Sequence, residues 1–224
     1  MKILKRMMLI LLVLIVLLLI VVLVAFGILN LRTNKILDDY SKIYTNEKYN
    51  ESIFIDNVTV FEQDISCGYA VIEMFAKWNN NLNITEKSLY DKYGKVVTST
   101  GKSFENEMNK QFPEYKTTMY KYLTNTELIN KIYESLSSGM PVPLEWAAKY
   151  NDEWTLHYSL IIGIDIQNDK IIIANPYGYT EEITIKEFID RTSFESYENM
   201  PIFLKLGFAF GIFEKNTIFI VEER

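Results

Sequence analysis

Cys67 is the one cysteine and His157 the one histidine in a chain of 224 residues. A thiol of unperturbed pKa about 8.5 is a modest nucleophile at neutral pH, and a helix N-terminus or an adjacent imidazole lowers that value by several units. Cys67 stands where a helix should open. From Cys67 to Trp78 the apolar residues fall at 71, 72, 74, 75 and 78, a helical spacing that leaves Glu73 and Lys77 towards water. The amide of Cys67 then points to where an oxyanion would develop, and Gly68 leaves room for a substrate to approach the backbone. A Cys–His couple acts best when a third group holds the imidazole in the right tautomer. Asn175, in the stretch KIIIANPYG, is the candidate for that post.

Pro176 pushes Asn175 into extended backbone, so the strand from Lys170 runs through it, with Ile171, Ile173 and Asn175 on one face. His157 opens the preceding strand, in WTLHYSLIIGID, and Gln167-Asn168-Asp169 supplies a hairpin turn between the two. Direct pairing of 157 with 175 would centre the turn on residue 166, whereas the turn residues centre on 168. The two side chains must therefore be diagonal neighbours or be brought level by a bulge.

The remaining elements divide into early helices and late strands. A first strand is expected over Ile53–Phe61, and short helices over Thr85–Tyr93 and Ser103–Gln111. Thr124-Asn125-Thr126-Glu127 is a capping box opening a helix to about Ser137, which Gly139 closes. Strands follow at Val142–Trp146, Leu156–Ile166, Lys170–Asn175 and Glu181–Ile185. The apolar end, IFLKLGFAFGIFEKNTIFIVEE, is broken by Lys205 and by the turn Glu214-Lys215-Asn216, and reads as closing strands. The order is that of an α+β domain. Trp146, Trp154 and Tyr158 are candidates to line a cleft, and Glu145, Asp152 and Glu153 read as solvated loop charges.

Met7 to Leu31 is apolar except for Gly27 and Asn30 and carries no charge. About 20 such residues cross a bilayer, and a cleavable signal has an apolar region of only about 7–15. The segment is expected to be an uncleaved anchor despite the weak cleavage site Ala25-Phe26-Gly27. Lys2, Lys5 and Arg6 before it against Arg32 and Lys35 after it favour a cytoplasmic N-terminus. The expected organisation is a tail and transmembrane helix over 1–31, a linker over 32–52, and an exported domain over 53–224 at the cell membrane.

Beyond residue 35 the chain has 18 basic against 29 acidic residues, a formal charge of −11, which makes nucleic acid a poor partner. One Cys and one His cannot supply a zinc site, and no cofactor or metal is called for. TSTGKS (98–103) ends like a phosphate loop, but Val96 stands where the first Gly is required. Separately, a lone Cys is commonly a small buried hydrophobe, a lone His on a strand structural, and Asn-Pro a turn. Jointly, their types, order and local structures favour a site.

QDISCGYAVIEMFAKW, then HYSLIIGID, then NPYG, resembles the papain-like cysteine peptidases of the bacteriocin-processing kind, the double-glycine leader peptidases of peptidase family thirty-nine. The resemblance implies a papain-like α+β fold with N-terminal helices and a C-terminal antiparallel sheet. It implies Cys67 as nucleophile, His157 as general base, Asn175 as orienting residue and Gln63 as side-chain oxyanion donor. That family usually places its Gln five or six residues before the Cys, and Gln63 is four before. The leader peptidases are fused to an exporter, and no ATP-binding motif is present here. The implied function is hydrolysis of peptide or related amide bonds through an acyl-enzyme, with a peptide or protein as substrate. The alternative, motivated by the short Gln–Cys spacing, is a catalytically silent module that binds a peptide or regulates an export system at the membrane.

Overall fold

The computed structural model describes residues 2–224; Met1, the first residue of the expected tail, lies outside them. Helix α1 (Lys2–Ile36) is long and apolar enough to cross a membrane. Two short 3-10 turns, Ser41–Thr45 and Glu47–Tyr49, follow it. Ile36 is fully buried, and Ile43 and Tyr49 pack into the main core, so the segment expected as a linker is largely folded onto the domain.

The domain then runs β1 (Ile53–Phe54), α2 (Cys67–Trp78), α3 (Glu86–Tyr93), α4 (Gly101–Gln111), β2 (Tyr115–Tyr120) and α5 (Asn125–Ser137). It continues β3 (Val142–Tyr150), β4 (Glu153–Asp165), β5 (Lys170–Asn175), β6 (Tyr179–Ile183), α6 (Ile185–Thr192), α7 (Ile202–Ala209) and β7 (Thr217–Glu223). Helices α2 to α5 start on side-chain caps from Ser66, Thr85, Thr100 and Thr124, three of them reciprocal boxes. The strands form one antiparallel sheet in the order β2-β7-β3-β4-β5-β6, with β1 pairing β4 beyond the start of β3.

The α+β expectation holds, and α2 and β5 have the bounds read from the sequence. Other expectations need correction. The first strand is two residues long, continued only by a bridge from Glu62 to Tyr177. The apolar end is not all strand: residues 202–209 form α7, whose Leu204, Phe208 and Ala209 are buried. The strand expected over Glu181–Ile185 ends at Ile183, and Thr184 caps α6 instead. Glu73 is buried, bonded to Lys77 and to the backbone of Glu86. Glu145 is fully buried, Trp146 and Tyr158 belong to the core, and Trp154 packs beside a smaller cluster formed by Ala147, Phe194 and Phe208.

Candidate active site

The β4–β5 hairpin carries two of the four candidate residues, and a single extra residue aligns them. Near the turn, Ile164 faces Ile171 and Gly163 faces Ile172; past Ile162 the register changes, and Ile161 faces Ile173 and Leu160 faces Ala174. Without the bulge Asn175 would lie opposite Leu160, on the face away from His157. With it, Asn175 comes opposite Ser159 and diagonal to His157 on the same face. Gly163 relieves the crowding there, since a Cβ would meet Ile172 and Phe54 at 3.0 Å and both would have to give way.

The consequence is a hydrogen bond of 3.1 Å between His157 Nε2 and Asn175 Oδ1. Asn175 Oδ1 also accepts the backbone N–H of Tyr177 at 3.0 Å, and Asn175 Nδ2 donates to Glu181 Oε2 at 3.0 Å. With the Tyr177 N–H on one side and the Glu181 carboxylate on the other, the amide has a single consistent orientation. Its oxygen can only accept, so the His157 proton resides on Nε2 and the lone pair on Nδ1. Tyr177 stacks on the imidazole with ring centroids 4.1 Å apart. Its hydroxyl is tied to Thr155 Oγ1 at 2.8 Å.

Arg191 of α6 anchors this layer from beneath. It pairs with Glu181, donates Nε–H to Ala147 O at 2.9 Å, and lies 3.7 Å from the centre of the Trp146 ring. Trp146 is the β3 partner of His157 and donates to Ser159 Oγ at 3.0 Å. Composition and spacing did not single out Tyr177, Glu181 or Arg191; the period-two pattern of β5 and β6 puts Glu181 diagonal to Asn175 and was the available signal.

Cys67 is the first residue of α2, and the cap at Ser66 accepts the N–H of Tyr69 at 3.2 Å. The loop before it is wound around one carboxylate. Glu86 accepts the consecutive backbone N–H groups of Asp64, Ile65 and Ser66 at 2.9, 3.0 and 2.9 Å. Gln63 is held from the other side, its backbone N–H donating to Pro176 O at 2.7 Å. Its Oε1 is buried with no protein partner. Gly68 does not open space for a substrate: a Cβ there would lie 2.3 Å from Thr98 Oγ1, so glycine is required by Thr98.

Burial pushes the Cys67 thiol above its ordinary pKa, with the nearby Glu145 adding to it, while the amides of Tyr158, Gly68 and Cys67 itself pull it down. Burial lowers His157 to about 3, with Arg191 contributing and the Asn175 hydrogen bond opposing. The expected lowering of the thiol at the helix start is therefore outweighed by desolvation, and the neutral thiol and neutral imidazole are favoured. Among the described residues no hydrogen bond joins Cys67 to His157; the thiol lies against the backbone at Tyr158, the next residue of β4. The structure thus brings His157 to Asn175 and Gln63 to Pro176, and sets Cys67 one residue along the strand from His157.

A buried acid lies near Cys67. Glu145 pairs with Tyr158 across β3 and β4, accepts its hydroxyl at 3.4 Å, and leaves Oε1 unpartnered. Burial, then the charge of Glu214, raise it to about 8.

Residues 55–202 match the Peptidase_C39 like family. No curated protein matches the chain. Among solved structures, the chain is similar to a double glycine motif protease from an AMS/PCAT transporter, in complex with the leader peptide. Identity is 12%, TM-score 0.47, and 78% of this chain and 99% of that chain are covered. It is also similar to the peptidase domain of Streptococcus ComA, a bi-functional ABC transporter of a quorum-sensing pathway. Here identity is 16%, TM-score 0.49, and the coverage 75% and 100%.

Proposed function

The chain belongs to the Peptidase_C39 like family, with its papain-like α+β fold, and from that premise we propose that it is a membrane-anchored cysteine peptidase. It hydrolyses peptide or related amide bonds through Cys67, His157 and Asn175. The observation that carries the reading is the Nε2–Asn175 hydrogen bond, which leaves Nδ1 of the only histidine as the basic nitrogen. In the proposed reaction His157 Nδ1 takes the thiol proton as Cys67 Sγ attacks the carbonyl carbon. The negative oxygen is held by the Cys67 amide and by the Nε2–H of the Gln63 side chain. The C–N bond then breaks as His157 returns the proton to the leaving amine. A water deprotonated by the same imidazole opens the thioester, giving the acid and the free thiol. Neutral resting groups suit this general-base route, in which charge forms only as the substrate reacts.

We place α1 across the cell membrane with the domain outside, the substrate a peptide or protein, and no role for nucleic acid. Protease accessibility of the domain on intact cells checks the orientation. For activity, the full chain in detergent is incubated with a diverse peptide mixture and the new termini are read by mass spectrometry. New termini absent with Cys67→Ala are expected; none beyond that control would sink the reading.

A second reading, a silent module that binds a peptide or regulates export, is favoured by the missing Cys67–His157 bond and the neutral thiol. A Cys67→Ser chain that keeps the whole cellular phenotype would support it.

A further inference from the structure

Helix α7 buries Leu204, Phe208 and Ala209 and turns its other side outwards. Ile202 and Phe203 are each 66% exposed, and just past the helix Phe210 and Ile212 are 49% and 53% exposed. Positions 202, 203, 206 and 210 fall within one arc of about 100° at 3.6 residues per turn. Four large apolar side chains within eleven residues, interrupted by the single charge of Lys205, form a patch that water does not favour.

Its position says what covers it. Leu29 of α1 packs against the cluster that holds Phe208, and Ala25 is buried. At the other end, a Cβ on Gly211 would lie 3.6 Å from Arg32 Nη1. Thus α7 and the turn after it run beside residues 25–32 of α1. Arg32 is the first charge after the uncharged run from Met7. That run is about 37 Å long at 1.5 Å per residue, against a hydrocarbon thickness of about 30 Å. Arg32 therefore marks the headgroup layer, and whatever lies beside Ala25 to Arg32 shares that depth. The charges agree. Arg32 and Lys35 line one hollow with Tyr122 and Phe210, suited to lipid phosphates, although Lys121 and Glu214 in the same hollow pair with each other and the domain as a whole is acidic.

We propose that residues 202–212 dock in the headgroup layer of the same bilayer that α1 crosses, as a second, interfacial attachment. The domain then lies on the membrane rather than hanging from a tether. This rests on the reading of α1 as an anchor. The cluster beneath α7 includes Ala147, whose carbonyl accepts Arg191, so the docked face is continuous with the buried base of the candidate site.

The test is depth-dependent fluorescence quenching of the full chain in phosphatidylcholine–phosphatidylglycerol vesicles. Two vesicle sets are used. One carries bromines near the acyl carbonyl, the depth of about 5–10 Å at which interfacial helices bury their apolar face, for the docking-face and Leu82 variants. The other carries them near the acyl terminus, at the mid-bilayer depth of Leu18, for Leu18→Trp. Single tryptophans are added at Leu18, Phe203, Ile212 and Leu82, and the emission of the three native tryptophans is subtracted. Leu82 is an exposed apolar residue beyond Asn79, which meets Tyr115 at the end of β2 away from Lys121. Phe203→Trp and Ile212→Trp are expected to lose at least half as much emission as Leu18→Trp, and Leu82→Trp none. Quenching at Leu18→Trp with both docking-face variants as dry as Leu82→Trp overturns the docking and leaves the anchor. Absence of quenching at Leu18→Trp overturns the anchor itself, and the docking with it.

Discussion

Asn175 donates its Nδ2–H to Glu181 Oε2 at 3.0 Å, and this bond, one step removed from the imidazole, is what gives the amide its direction. Reversed, Asn175 would present an N–H to His157 Nε2 and its oxygen to a carboxylate. Glu181 is itself fixed by Arg191, whose guanidinium N–H groups pair with that carboxylate while its carbon lies over the Trp146 ring. Glu181 thus selects an amide at position 175.

That relationship predicts a swap. Asn175→Asp alone sets two carboxylates about 3 Å apart in a buried site, a repulsion of about 4 kcal/mol or more at an effective dielectric of 20. One of them takes up a proton or the pair separates. Labelling of Cys67 by a peptidyl chloromethyl ketone should fall by about tenfold or more, the equivalent of 1.4 kcal/mol. Adding Glu181→Gln restores the original net charge and a donor facing the new carboxylate, and the double variant should recover most of the rate. Equal labelling by Asn175→Asp and the double variant would show that Glu181 does not orient position 175.

The protonation of His157 is measurable without ambiguity, because the chain has one histidine and one imidazole signal. Its folded pKa of about 3 lies below the ordinary 6.5, so the unfolded chain binds a proton that the folded chain refuses. This group's contribution to stability is therefore lost as pH falls from about 6.5 towards 3. Tyr177 is the ring that shields it. In Tyr177→Ala the NMR midpoint should move up towards 6.5; an unchanged midpoint would assign the desolvation to other neighbours.

Glu145 carries the opposite sign. Its folded pKa of about 8 exceeds the ordinary 4.5, so the folded chain holds a proton that the unfolded chain has released. Stability from this group falls as pH rises from about 4.5 to about 8, by an amount on the order of several kcal/mol if the carboxyl stays buried. Glu145→Gln removes that slope while keeping the shape. Its melting temperature should exceed the wild type's by more at pH 8 than at pH 5, and a constant difference would contradict the burial argument.

The contrast between what the sequence made legible and what it did not is physical. Helix α2 and strand β5 show their periods openly, because one face of each is apolar and local caps or turns mark the ends. The hairpin arithmetic left a two-residue mismatch between His157 and Asn175, and the bulge at Ile162 together with a diagonal pairing accounts for it. Helix α7 was hidden because its residues are apolar on nearly every side, so neither period stands out. Glu145 looked like a surface charge because a carboxylate on a strand ordinarily is one, and only tertiary packing of Phe104 on Tyr158 closes that space. Glu86 and Glu181 act through partners 20 to 22 and 6 residues away, and no local pattern announces such contacts.

Glu86 yields the last prediction. Its carboxylate satisfies three consecutive amides of the loop that joins Gln63 to Cys67, and its own backbone N–H donates to Glu73 Oε2 at 2.7 Å. Removing the carboxylate leaves those donors without partners in a partly buried loop, at about 1–3 kcal/mol for each that water cannot reach. Glu86→Ala should therefore destabilise the domain by about 2–4 kcal/mol, well above the roughly 1 kcal/mol of an average substitution. Because the freed loop carries Gln63 but not the helix that begins at Cys67, labelling of the thiol should fall less than peptide turnover. Hydrogen exchange separates this from general unfolding: amides 64–66 should exchange faster while those of β4 and β5 keep their protection. Uniform loss of protection across the sheet would mean that Glu86 supports the whole fold rather than the loop.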